Sequence, residues 1–257
     1  MSRSPSPPYE DENKKSGTEG NINGVEKEEG IHIVLWGDKN VRHSFIRKVY
    51  SIISLQLLVT VGIIAIFTFV QPVSDFVQKN YEIYYASWFV FLFSYLVLAC
   101  WKSIQRWFPW NIILMTIFTL AMGFMTGSIA SVYNTKAVIV AMILSALATI
   151  TITIFSFQTK VDLTSCNGFS CIVAIVIMLT GLATAIVLFC TYIYWLYVLF
   201  ADLIVIAFTL LLAYDTQVLL EHKSFAISPE DYVYGAIHVY INIIYIFGGT
   251  LQLTGRA

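Results

Sequence analysis

The chain is predicted to be an all-α integral membrane protein, a bundle of seven transmembrane helices behind a disordered N-terminal tail. Three observations carry this. Of its 257 residues 58% are hydrophobic, only 12% are charged, and the apolar residues fall into successive long stretches. Soluble domains carry about a quarter charged residues. A helix of about twenty apolar residues, rising about 1.5 Å per residue, is what crosses about 30 Å of hydrocarbon. A net charge of −1 leaves no basic footprint for phosphates, so nucleic acid is set aside as a partner and the lipid bilayer takes its place.

Residues 1–40 contain Pro5, Pro7, Pro8, several glycines and serines, and dense mixed charge from Glu10 to Glu29. Such a segment buries too little apolar surface to offset its ordering entropy and is expected to be a disordered tail. It does not read as a signal peptide, because the first long apolar run starts only near Val49 and exceeds the length of a signal core. Residues 41–257 form the membrane domain, with spans expected at about 49–70, 83–101, 112–132, 137–157, 168–190, 192–220 and 232–251. The connections read as short polar loops, among them Gln71 to Glu82, which favour antiparallel neighbours. The seventh span has a start signal in Ser228, Pro229 and Asp231, the order of a cap, a first-turn proline and a capping acid.

Orientation follows from the cations. The tail and the even-numbered loops hold most of the Lys and Arg, with Lys39, Arg42, Arg47 and Lys48 nearest the first span, so the N-terminus is expected in the cytosol. Cys100, Cys166, Cys171 and Cys190 include no CxxC pair and no histidine at ligand spacing, and free thiols with no firm metal site are expected. Gly123 with Gly127, and Gly181 with Ala185, have the small-xxx-small spacing that lets helices approach closely.

An ionisable side chain inside a span costs roughly 2.5 to 3.5 kcal/mol on insertion scales. Asp202, Asp215 and His238 are the three that call for a reason. Asp215 lies in Leu210-Leu211-Leu212-Ala213-Tyr214-Asp215-Thr216-Gln217, short of the end of the sixth span. On the seventh, Tyr234, His238, Asn242, Tyr245 and Gly249 recur at spacings of three and four, a polar stripe on one face expected to look into the bundle. The two helices enter the membrane from one short loop, so Asp215 and Asn242 can meet at one depth. A buried acid beside an amide and an imidazole is a candidate ion path and pH sensor. Helix tethering by hydrogen bonds is the simpler role for His238 and Asn242. Asp202 precedes Asp215 by thirteen residues, on another face and about 20 Å along the axis, and is expected near the opposite interface.

Several blocks now point to a family. Pro109-Trp110-Asn111, Met125-Thr126-Gly127-Ser128-Ile129-Ala130, Phe155-Ser156-Phe157-Gln158-Thr159-Lys160, Ala213-Tyr214-Asp215-Thr216-Gln217 and Ser228-Pro229-Glu230-Asp231-Tyr232 resemble the signature blocks of the Bax-inhibitor-motif family, in particular its lifeguard branch. The resemblance runs from about Arg42 to the C-terminus. It implies a seven-helix bundle in endoplasmic reticulum, Golgi or related membranes, a pH-sensitive calcium leak, and suppression of programmed cell death with proteins of the anti-apoptotic or death-receptor pathways as partners. It implies no cofactor, calcium being the permeant ion. In that family an aspartate on each of the last two helices shares a proton, and a basic residue of the second helix latches the first of them. Asp215 matches the first position, Asn242 stands at the second, and Lys102 or Arg106 is the candidate latch. Two carboxylates in contact repel, and an Asp–Asn pair lacks that repulsion. His238, one turn before Asn242, is a substitute titratable partner for Asp215.

No catalytic residue is expected. Tyr214-Asp215 is half of an intramembrane aspartyl protease site, but the Gly-x-Gly-Asp of the other half is missing, and acid–base hydrolysis needs a second positioned carboxyl. The Asp-to-Asn departure keeps a second reading in play, a non-conducting membrane scaffold that modulates cell death or trafficking through protein partners.

Overall fold

A computed structural model describes residues 39–100, 109–158, 173, 175–177, 181, 194–220 and 232–255. Residues 1–38 of the expected disordered tail, most of the fifth span at 168–190, the start signal of the seventh, and Lys102 and Arg106 lie outside the described residues, whereas Lys39 and Asn40 are helical. Seven helices are delimited among those that remain: α1 (Lys39–Phe69), α2 (Gln71–Lys79), α3 (Glu82–Cys100), α4 (Trp110–Ser131), α5 (Thr135–Gln158), α6 (Tyr194–Leu220) and α7 (Tyr232–Thr254). All but α2 are long and apolar enough to cross a membrane. These six coincide with the expected first to fourth, sixth and seventh spans, and residues 173, 175–177 and 181 of the expected fifth are helical. The chain divides after Ser44, and the packing described below lies within Phe45–Ala257.

Two boundaries differ from expectation. α1 begins at Lys39, not near Val49, because a helix continues through cations at no cost in hydrogen bonds once it leaves the hydrocarbon. The connection expected as a polar loop after Phe69 is the helix α2. Pro72 sits in its first turn, where a missing N–H is harmless, Val77 is buried beneath it, and Asn80 closes it with its side-chain Nδ2 donating to the Phe76 carbonyl at 2.8 Å. Gln78 Nε2 donates to the Ser131 carbonyl at 2.5 Å, which ties α2 to the end of α4.

Inside a bilayer apolar burial does not drive helices together, so close packing and polar ties hold the bundle. α1 buries Phe45, Val49, Ile53, Gln56, Thr60, Ile64 and Phe67, a face at spacings of three and four. It meets α4 where glycine lets it: a Cβ on Gly123 would stand 2.7 Å from Ile63 Cδ1, and one on Gly127 3.0 Å from Phe67 Cδ2. The expected packing role of that pair is what the structure has. At Gly181 a Cβ would stand at an ordinary 3.4 Å from Phe200, so no close approach occurs there.

α7 is the central helix. Of its apolar window 61% is buried, against 17% to 50% in the other five spanning helices. One core layer joins Phe91 and Leu98 of α3, Phe118 and Met122 of α4, and Val233, Ile237, Tyr240 and Ile244 of α7. A second joins Ile64, Ala130, Val138, Ala141, Phe247 and Leu251. Large apolar side chains such as Leu58 (70% exposed), Phe93 (69%) and Trp195 (66%) point outward, the surface that lipid covers. Two side-chain hydrogen bonds tie α1 inward, Gln56 Nε2 to Thr119 Oγ1 at 2.9 Å and Thr60 Oγ1 with Tyr240 Oη at 2.7 Å. Tyr240→Phe is expected to lower stability by about 0.6 to 1.7 kcal/mol, the range of interhelical hydrogen bonds in membranes, read from unfolding in a mixed-micelle titration.

Candidate functional site

Asp215 sits five residues before the last residue of α6, and Asn242 ten residues after the first of α7. The structure brings the two together: Asn242 Nδ2 donates to Asp215 Oδ2 at 2.6 Å. That distance is at the short end for an amide donor on a carboxylate oxygen. Asn242 is 4% exposed, and Thr216 and Gln217, which follow Asp215, are buried as completely. Deeper along the pair, a Cβ on Gly249 would stand 2.6 Å from Val205 Cγ2 and 3.4 Å from the Ala201 carbonyl. The glycine therefore allows α6 and α7 to lie close enough for the hydrogen bond above it to form.

Each of the other predicted residues can be placed. His238 is half-buried, its ring 4.3 Å from that of Tyr234, and among the described residues it forms no hydrogen bond with Asp215. His238, the substitute titratable partner expected for Asp215, thus stands against Tyr234 and not against the carboxyl. One helical turn separates His238 from Asn242 along α7, and the carboxyl lies beside the amide. The polar stripe itself is only partly inward. Asn242 and Gly249 are buried, while Tyr234 is 39% exposed and His238 and Tyr245 are intermediate. Asp202 is exposed on the outer stripe of α6 that also carries Trp195, Leu199 and Ile206, eight residues after Tyr194, and has no part in the pair. The proposed latch residues Lys102 and Arg106 lie outside the described residues.

Other hydroxyl-bearing side chains lie near the site, without a charge at ordinary pH to mark them in the sequence. The Tyr50 hydroxyl of α1 and the Thr216 hydroxyl, on the residue next to Asp215, are both buried and lie close to each other. Tyr95 of α3 and Tyr234 lie within Coulombic reach of the Asp215 carboxylate. A useful signal is present in the first span, where Gln56 is the one amide and recurs with Thr60 at helical spacing. No group of three His, Cys, Asp or Glu that could hold a metal occurs among the described residues. One carboxylate and one amide supply fewer oxygens than the six to eight that a resident calcium ion takes. The pair can contact a passing cation; it does not make a cage.

Comparison with known proteins places these features. The family described as "Inhibitor of apoptosis-promoting Bax1" matches residues 42–256. Protein lifeguard 3 of Homo sapiens is 60% identical over 220 residues, covering 86% of this chain and 71% of that protein. Its counterpart in Mus musculus is 59% identical over the same length and coverage. Protein LIFEGUARD 1 of Arabidopsis thaliana is 37% identical over 117 residues, 46% of this chain and 50% of that one.

Proposed function

We propose, from the premise that this chain belongs to the Bax-inhibitor family of apoptosis inhibitors, that it is a calcium-permeable leak that limits cell death from an endomembrane, with its N-terminus in the cytosol. The observation that supports this reading most is the Asp215–Asn242 contact at 2.6 Å inside two spanning helices. An acid at that depth is costly, and such intramembrane acids mark ion or proton paths. A leak needs a contact strong enough to admit a cation and weak enough to release it, which one carboxylate and neighbouring carbonyl oxygens supply better than a closed cage. The reading involves no catalytic step and no cofactor, and it keeps the count of seven spans.

A neutral amide at the second position favours one further feature. Asn242 cannot ionise, so the two-carboxylate switch that the family resemblance implies is missing, and any pH dependence of the leak rests on Asp215 alone. Purified protein in calcium-dye-loaded liposomes tests both points. Across pH 5 to 8 wild type is expected to leak calcium, Asp215→Asn to leak at least about tenfold more slowly, and Asn242→Asp to show a changed pH profile because two carboxylates in contact cannot both ionise freely. Absence of calcium flux across that pH range from folded protein would remove the channel reading. The non-conducting scaffold would then stand, with the same hydrogen bond acting as a helix tether.

A further inference from the structure

α2 is too short to span. Its nine residues extend about 14 Å along the axis, against about 30 Å of hydrocarbon. Both of its ends are tied to spanning helices, since Val70 alone separates it from α1 and only Asn80 and Tyr81 separate it from α3. It therefore stays at the level where those two helices meet the membrane surface. Its residues sort by polarity at helical spacing. Gln71, Asp75 and Lys79 share one exposed face, Val73 and the buried Val77 share the opposite one, and Phe76, 59% exposed, lies between the two. Phe69 and Val70, at the junction with α1, are exposed as well.

Two observations point to what covers these apolar side chains. Gln78 Nε2 donates to the Ser131 carbonyl at the end of α4, which holds α2 with Phe76 turned away from the bundle. In the first two turns of α3, at the same level, Tyr81, Tyr85 and Trp88 are exposed at spacings of four and three, the kind of aromatic belt that spanning helices carry at the membrane–water boundary. We infer that α2 is an interfacial helix seated on the bilayer, with Phe69, Val70 and Phe76 among the upper acyl chains and Gln71, Asp75 and Lys79 in the headgroup layer. The lipid it takes is zwitterionic. Asp75 and Lys79 cancel, so α2 offers an anionic headgroup no net attraction, whereas helices that seek anionic surfaces carry a basic polar face. Through Gln78 the seat ties the end of α4 to the bilayer surface, and it does not depend on calcium conduction.

The test places one extra tryptophan at a time in the full chain, in nanodiscs of phosphatidylcholine holding a single copy, and reads the emission gained over wild type. The emission added by Phe76→Trp is expected to fall at least about twofold when the lipid is brominated high on its acyl chains, as for a ring about 5 to 10 Å into the boundary. It should fall less when the bromine sits near the chain ends, and it should resist aqueous acrylamide. Asp75→Trp is expected to do the opposite, yielding to acrylamide and not to bromine. Replacing part of the lipid with phosphatidylserine should leave both patterns unchanged. Acrylamide quenching as strong for Phe76→Trp as for Asp75→Trp puts the ring in water and overturns the inference. Protection of that ring from both quenchers, which puts it against protein, overturns it too, and so does bromine quenching that requires the anionic lipid. If Phe76→Trp does not fold, Val70→Trp decides by the same criteria.

Discussion

Asn242→Leu is expected to lower the stability of the bundle by about 3 kcal/mol, measured by denaturant unfolding in micelles or by steric trapping in bicelles. Leucine has the branching and heavy-atom count of asparagine with bulkier methyl ends in place of the oxygen and the nitrogen, so the donor is lost and the double-mutant comparison below separates that loss from the added bulk. Asp215 Oδ2 accepts from Asn242 Nδ2 at 2.6 Å, and no other hydrogen bond to that carboxylate occurs among the described residues. Hydrogen bonds to charged groups contribute about 1.5 to 3 kcal/mol, and leaving a buried charge without its partner costs about 3 to 5 kcal/mol. In an Asp215→Leu background the same Asn242→Leu change should cost less than about 1 kcal/mol, because the carboxylate that needed the amide is gone. An equal cost in both backgrounds would show that the Asp215–Asn242 bond does not hold α6 to α7.

Gly249→Leu is expected to cost more than about 3 kcal/mol, or to prevent folding, at the upper end of overpacking effects. The first added carbon already meets Val205 Cγ2 at 2.6 Å and, at 3.4 Å, the carbonyl oxygen of Ala201, which belongs to the backbone and cannot rotate away. Three more carbons must then push α6 off α7, which also pulls Asp215 from Asn242, so calcium flux and stability should fall together. Gly248 is the control. A Cβ there meets nothing within 4 Å, and Gly248→Ala should be neutral or stabilising by up to about 1 kcal/mol, since alanine is the better helix former. Comparable destabilisation at both positions would mean that helix flexibility, not close approach, is what Gly249 provides.

What the sequence makes legible is whatever repeats locally. Six of the seven expected spans coincide with described helices because length and apolarity are properties of a single helix, which satisfies its own backbone in lipid without a neighbour. The pairing of Asp215 with Asn242 was also within reach, since two consecutive helices entering from one loop must pass each other at matching depth. α2 was missed because nine residues with a proline and mixed polarity read equally well as a loop until packing of Val77 and the Gln78 bond to Ser131 decide. Spacing along α7 put Tyr234, His238 and Asn242 on one face, but spacing cannot say which neighbour that face meets.

By itself, then, the sequence determined that this protein is a bundle of apolar helices crossing a bilayer, and it singled out Asp215 and Asn242 as the residues that such a bundle must account for. Only the tertiary structure decided that the amide of Asn242 takes the carboxylate of Asp215 while His238 turns to Tyr234, and that Phe208 of α6 stacks on Tyr245. The reason is physical: apolarity and period belong to each helix alone, whereas the choice of partner depends on how closely two helices can approach, and glycines such as Gly249 set that distance.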